Sequence, residues 1–533
     1  MRERYFYFVF SALLLSAAYL CFNDLDMRPM HHDEGVYGWF RLNIYNACLG
    51  SNAPRLDYGN YAAICSGQTT SRFCEMGYPL GPLTRYSEVC DRSYYYDPQF
   101  HGPFSYILGA WVFSVFGVSD YTLRAPDGAF QLGAIVLLLF LKKRIGKTGV
   151  LFTAALIAFS PSMVYYSKHA YFDPFFSFFT LGSVVCASKL LETGKRRWLY
   201  IGSANLALLF TVKEGALLFA IIGAAYLLAW FVLDRVHHGK RKDARIENKR
   251  SLFTINAILL SIAIFSIVCA FFYSNMFMNL SLLPKAITGI GFWVEKTHTW
   301  VGHFKPFDYF PKLLWDYEIA IVLSSLTAAL CLRDGWARWC LFWAASSLLI
   351  YSINPYKTPV NLLAITLPLA LLAGTGLNYM TERLYGWRKY LPLATIIPLL
   401  VCSLMTAWDV SFVHYADPDN SLAYVTSLLS YNEMLKDITG KAELFNGKNT
   451  TIAVNAKDYW PLPWSLRDYK LLYGSGASSQ MIVVSDKGDY SDILPEARDK
   501  YLPPTKYEIR EWVYVYVYYW KENQTSSINV PGI

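Results

Sequence analysis

The chain has 533 residues, of which 54% are hydrophobic and only 17% charged, and its formal net charge is +8. This composition excludes an ordinary soluble protein of several domains. The cations lie between apolar runs instead of on one soluble face, which excludes a nucleic-acid partner and points to a lipid bilayer.

Apolar runs of roughly 17 to 22 residues match a ~30 Å hydrocarbon layer. They predict about eleven spans, near 5–22, 125–141, 149–166, 173–191, 198–212, 214–233, 252–273, 317–332, 339–353, 360–378 and 391–410. The basic start through Arg4 and the absence of a small-residue cleavage site before Asp24 mark a retained first helix, with its N-terminus cytoplasmic.

Residues 23–103 form a long polar loop. Its first feature is His31-His32-Asp33-Glu34, adjacent carboxylates beside a membrane boundary, where each disturbs the other's ionisation. One of them suits a general base and the other an orienting or cation-binding role; the alternative is a solvated loop. Cys48, Cys65, Cys74 and Cys90 share the same loop, consistent with one or two disulfides in an oxidising compartment or with four free thiols. The loop closes on Tyr96-Asp97-Pro98 and His101-Gly102-Pro103, which either face the Asp33 cavity or cap the next helix.

The apolar stretch 104–118 is too short to cross and is expected to lie at the interface. With it non-crossing, the connections carrying Lys142, Lys143, Arg144 and Lys147, Lys195 to Arg197, Arg235 to Arg250, Arg333 and Arg338, and Arg383 to Lys389 all share the side of the N-terminus. The segments 23–103, 168–173, 213–214, 274–316, 354–359 and the tail then face outward, with the sequons at Asn279, Asn449 and Asn523. Lys168, His169 and Asp173 sit at one outward junction, where Asp173-Pro174 also suits a helix cap. Lys213-Glu214 form a tight hairpin at a depth where ionisable groups face a polar cavity or each other. Lys213 and Lys357 suit a lipid phosphate, or else snorkel to the interface.

Beyond residue 411 the chain changes character, and Thr451–Val454, Met481–Val484 and Trp512–Trp520 read as strands, the last buried on both faces. The expected fold is therefore a polytopic α-helical membrane module, 1–410, followed by a small soluble α/β or α+β domain, 411–533.

Asp33-Glu34 in a large first loop, His101-Gly102-Pro103 before a juxtamembrane helix and Asp173 in the second outer loop resemble the GT-C class of integral-membrane glycosyltransferases. That class includes protein O-mannosyltransferases and lipid A aminoarabinose transferases. More closely, His32-Asp33-Glu34-Gly35, Tyr96-Asp97-Pro98, Tyr356-Lys357-Thr358-Pro359 and Tyr459 to Trp464 resemble an archaeal subgroup named for association with flippase activity in glycan assembly. The resemblance implies a polyprenyl-phosphate sugar donor, a glycan, lipid or protein acceptor, and a cell-membrane location with the first loop and tail extracytoplasmic. It implies Asp33 as catalytic base and transfer with inversion. Glu34 and His101 complete the expected catalytic set, and Asp97, Lys168, His169, Asp173, Lys213, Glu214 and Lys357 the substrate-binding set. Some members of the class use a divalent metal ion and others none; Asp33, Glu34 and Asp173 are the candidate ligands. The alternative from a different class is a non-catalytic factor that binds or helps translocate a lipid-linked glycan.

Overall fold

Apolar runs in a membrane fold as helices because only internal hydrogen bonding satisfies the backbone there. In the computed structural model, which describes residues 2–46, 100–238, 252–299, 303–473 and 480–521, the runs do fold this way. Among the described residues, seven helical stretches are long and apolar enough to cross a membrane. The pair Tyr309–Tyr317 and Ile319–Cys331, bent by 98°, makes an eighth when counted as one broken span. One of the seven, Asp120–Ala158, has 39 residues, about twice what a single crossing needs. It breaks at Gly146 (φ +75°) among Lys142, Lys143, Arg144 and Lys147, so it holds two of the expected spans. Two others, Arg197–Val212 and Gly335–Ile353, are helices at the expected places, but the first has only 16 residues and the second is less apolar. The stretch expected at the interface is the helix Phe104–Phe116, whose 13 residues rise only about 20 Å.

The chain divides into two compact units, the first comprising 1–26, 96–112 and 116–415, the second 27–95, 113–115 and 416–533. In the first unit the helix Leu363–Arg383 is the hub: 89% of its span is buried, against 11% for Ile255–Tyr273 and for Gly215–Val232, whose apolar surfaces therefore face lipid.

In the second unit residues 27–46 pack with the tail, which begins at 416. The helix α1 (His32–Ile44) lies against the loop before and including the short helix Leu462–Ser465. Glycine makes this possible: a Cβ on Gly35 would come within 2.4 Å of Pro461 Cβ, and one on Gly38 within 2.6 Å of the Trp464 ring. Ser427 Oγ donates to the Met30 carbonyl at 2.7 Å and fixes the entry to α1.

The tail carries a five-stranded sheet of order β2-β1-β3-β5-β4. Its strands are β1 (Thr451–Val454), β2 (Lys470–Tyr473), β3 (Ile482–Ser485), β4 (Thr505–Arg510) and β5 (Val513–Tyr519). β1 pairs in parallel with β2 and β3, while β5 runs antiparallel between β3 and β4. The aromatic run expected to be buried on both faces is this inner strand β5; Val515 and Val517 to Tyr519 are buried and its other residues half-buried. The helix α2 (Leu429–Phe445) covers the sheet with Tyr431, Met434, Ile438 and Ala442, one face at helical spacing.

Candidate active site

The head of α1 is built by its own sequence. His31 is the N-cap: its Nδ1 accepts from the Asp33 amide at 3.0 Å, and Glu34 Oε2 accepts from the His31 amide at 3.0 Å. This is a capping box with histidine in the place of serine or threonine. Because Nδ1 accepts, the ring proton sits on Nε2, which faces the Tyr424 carbonyl at 3.0 Å and donates to it. Glu34 is fully buried by these contacts. Asp33 is half-buried in the first helical turn, where the macrodipole favours its negative charge, and its carboxylate makes no hydrogen bond or ion pair among the described residues. His32 is pushed down to about 4, first by burial and then by Arg510 and His31, against the pull of Asp33 and Asp458. Tyr424 is raised, by burial first and then by the Asp33 charge.

The first unit holds a second cluster, where two helices meet with almost no loop. The helix Arg197–Val212 ends, Lys213 is extended, and the next helix begins at Gly215. Lys213 Nζ bonds Asp173 Oδ1 at 2.9 Å and Asn361 Oδ1 at 3.0 Å. His101 Nδ1 meets Glu214 Oε2 at 2.9 Å. The Gly102 amide donates to the Val212 carbonyl at 3.0 Å, and a Cβ there would come within 2.1 Å of the Thr211 carbonyl, so only glycine lets His101 reach Glu214. The His101 ring stacks on Trp293 with centroids 4.6 Å apart and planes 7° apart. Its pKa is lowered, chiefly by burial, with the Glu214 charge opposing and Lys213 and Lys296 adding. A neutral ring that donates Nδ1–H to Glu214 leaves Nε2 as an acceptor.

Other expected site residues are spent on structure. Lys168 is 1% exposed, its Nζ bonded to the Asn23 carbonyl and 4.2 Å from the Phe412 ring centroid. His169 is 2% exposed, with Nδ1 on the Tyr165 carbonyl. Lys357 is buried, its Nζ bonding the carbonyls of Lys305 at 3.0 Å and Asn354 at 2.5 Å, and burial lowers its pKa. It clasps residues 303–305 to 354–357, where Phe304 and Tyr356 bridge, and so offers a phosphate far less than its exposed sequence setting suggested. Asp97 and the four loop cysteines lie outside the described residues. Among the described residues no three His, Cys, Asp or Glu side chains converge to hold a metal ion. Glu34 is committed to His31 and Asp173 to Lys213, so the candidate metal ligands do not fit one and no step below passes through a metal.

Sequence reasoning missed Asn361, Trp293, Lys296 and Arg510. Asn361 carried a faint signal, an amide in the first turn of an otherwise apolar run beginning two residues after Lys357-Thr358.

The architecture is that of a polytopic helical membrane protein with a small C-terminal sheet domain. Residues 93–290, well under half the chain, match the family described as dolichyl-phosphate-mannose-protein mannosyltransferase. The fold is similar to the crystal structure of ArnT from Cupriavidus metallidurans in the apo state, with TM-score 0.58, 13% identity, and coverage of 95% of this chain and 97% of that one. It is equally similar to ArnT from the same organism bound to undecaprenyl phosphate, with TM-score 0.57, 14% identity, and coverage of 97% and 98%. No curated protein sequence matches the chain.

Proposed function

We propose that the protein is a GT-C glycosyltransferase that moves a sugar from a polyprenyl-phosphate donor to an acceptor hydroxyl at the outer membrane face. The observation that carries this is Asp33: a half-buried carboxylate, fixed on a capped helix and without a side-chain partner among the described residues. A general base needs that combination of rigid placement and an uncommitted lone pair. The mannosyltransferase match over 93–290 and the ArnT-like fold support the class, and the undecaprenyl phosphate held by one ArnT structure supports a lipid-phosphate donor. The motifs at 32–35 and 356–359 favour the flippase-associated archaeal subgroup within that class.

In this reading Asp33 takes the acceptor proton as the acceptor oxygen attacks the anomeric carbon, and the bond from that carbon to the phosphate oxygen breaks with inversion. Glu34 acts through His31 by holding the first turn of α1. Lys213 is oriented by Asp173 and Asn361 with one N–H to spare, a cationic donor suited to a lipid phosphate. The purified protein, given a panel of labelled polyprenyl-phosphate sugars, should transfer label to lipid or protein fractions, and Asp33→Asn should stop it. Transfer at the wild-type rate by that variant would sink the assignment of the base.

A further inference from the structure

Beside the head of α1 the second unit buries a guanidinium that its own fold does not satisfy. Arg510 ends β4, one residue before the turn into β5, where Trp512 has φ +62°. Its side chain is 10% exposed, and both Nε and Nη2 lack a hydrogen-bond partner. Its one counter-charge is Asp458, whose Oδ1 lies 3.4 Å from Nη2, outside hydrogen-bond geometry, on a side chain that is 62% exposed. Two neighbouring ring nitrogens also lack partners among the described residues: Trp460 Nε1, two residues on from Asp458, and His32 Nδ1, one residue before Asp33. Trp460 and Pro461, two and three residues on from Asp458, pack on Gly35 in the first turn of α1, which brings the Asp458–Arg510 pair to the head of that helix.

A buried guanidinium with two idle N–H groups carries an uncompensated desolvation cost. Folds keep such an arrangement when a ligand completes it, and the planar fork of arginine matches a carboxylate or phosphate. Asp458 is a loose and solvated partner that an incoming anion can displace. We propose that Arg510, gated by Asp458, binds an anionic group of the acceptor, a sugar carboxylate or a phosphate, and so selects acidic acceptors for the base Asp33. The site rests on the transferase reading only in naming the acceptor as the anion's carrier.

The test reads binding to the full-length protein in nanodiscs, without donor lipid. Its probes are methyl glucuronoside for the carboxylate, glucose 6-phosphate for the phosphate, and methyl glucoside as the neutral control. At least one anionic sugar should bind ten-fold or more tighter than the neutral one, and whichever does so names the source. Arg510→Gln should abolish the discrimination and Arg510→Lys should restore part of it. Asp458→Asn, a change on an exposed side chain, should tighten anion binding at least three-fold, which keeps the test decisive even if Arg510→Gln does not fold. Asp33→Asn should bind the anion while failing to transfer sugar, so the fate of the base assignment and the fate of this site are read separately. Equal binding of neutral and anionic sugars, discrimination that survives in Arg510→Gln, or unchanged binding in Asp458→Asn would each overturn the proposal.

Discussion

Lys213 in the first unit and Asp33 in the second are both ionisable residues at a helix end, yet Lys213 bonds Asp173 and Asn361 while the Asp33 carboxylate bonds no side chain among the described residues. The same contrast runs through their surroundings. His101 is held by Glu214 and Trp293, and Lys357 by two carbonyls. Around Asp33 the backbone cap is complete, but His32 Nδ1 and two atoms of Arg510 have no partner. Charges buried at a helix junction are tolerated when they neutralise one another, so the first cluster fixes geometry. A site that must accept an incoming group keeps some of its hydrogen-bonding capacity unused, as the second cluster does.

The widest separation between the two should come from Asp33→Asn. Loss of a general base is expected to cut transfer about 10²- to 10⁴-fold, while stability should fall only by the about 0.3–1 kcal/mol that a negative charge contributes at a helix N-terminus. Glu34→Ala is the converse case: it removes the acceptor for the His31 amide and should cost about 0.5–2 kcal/mol of stability, with Glu34→Gln largely restoring it. Unfolding curves and transfer assays on the three variants would erase the contrast if Asp33→Asn were the destabilised one.

Next in size is the ion pair of the first unit. Asp173→Asn leaves Lys213 without its counter-charge at side-chain exposures of 13% and 6%, and breaking a buried pair costs about 3–5 kcal/mol. Adding Lys213→Met to the same chain should recover much of that loss. If the double variant is as unstable as the single one, mutual neutralisation is not what holds this junction.

His32 gives a pH test. Its folded value, about 4, lies below the ordinary 6.5, so between those values the unfolded chain binds more protons and stability rises with pH. The group's contribution is complete above 6.5 and is lost as pH falls toward 4, amounting to about 3 kcal/mol. His32→Gln lacks this dependence, so the unfolding temperatures of wild type and variant should diverge on acidification, with wild type falling faster. Parallel curves would show that the ring is not buried neutral.

Much of this was legible in the sequence because the signals are local. Apolar runs located the helices, the short stretch before Gly117 located the 13-residue helix Phe104–Phe116, and the aromatic run located β5. The tight turn at Lys213-Glu214 was readable because two apolar runs left no room for a loop. The junction of α1 with the tail was not readable: His31 meets Tyr424, and Gly35 packs on Pro461, across some four hundred residues with no periodicity linking them. The capping role of Glu34 was hidden because histidine stands where the motif has serine or threonine. β4 escaped notice because Lys506, Glu508 and Arg510 break up its apolar residues, and with it the guanidinium beside Asp33 was overlooked.

The smallest expected effect asks whether the first cluster does more than hold helices together. Trp293→Ala removes a stacked ring worth about 0.5–1.5 kcal/mol, a shift barely visible in unfolding. Its consequence for His101 is more specific. Burial is the largest influence holding that ring below its ordinary value, so opening one face to water should raise the pKa, while the Glu214 contact, which already favours the charged form, remains. A charged ring loses the Nε2 lone pair. If that lone pair orients substrate, the acid limb of the transfer profile moves to higher pH in Trp293→Ala and returns in Trp293→Phe. A profile that stays in place would assign His101 to the same structural duty as Lys357.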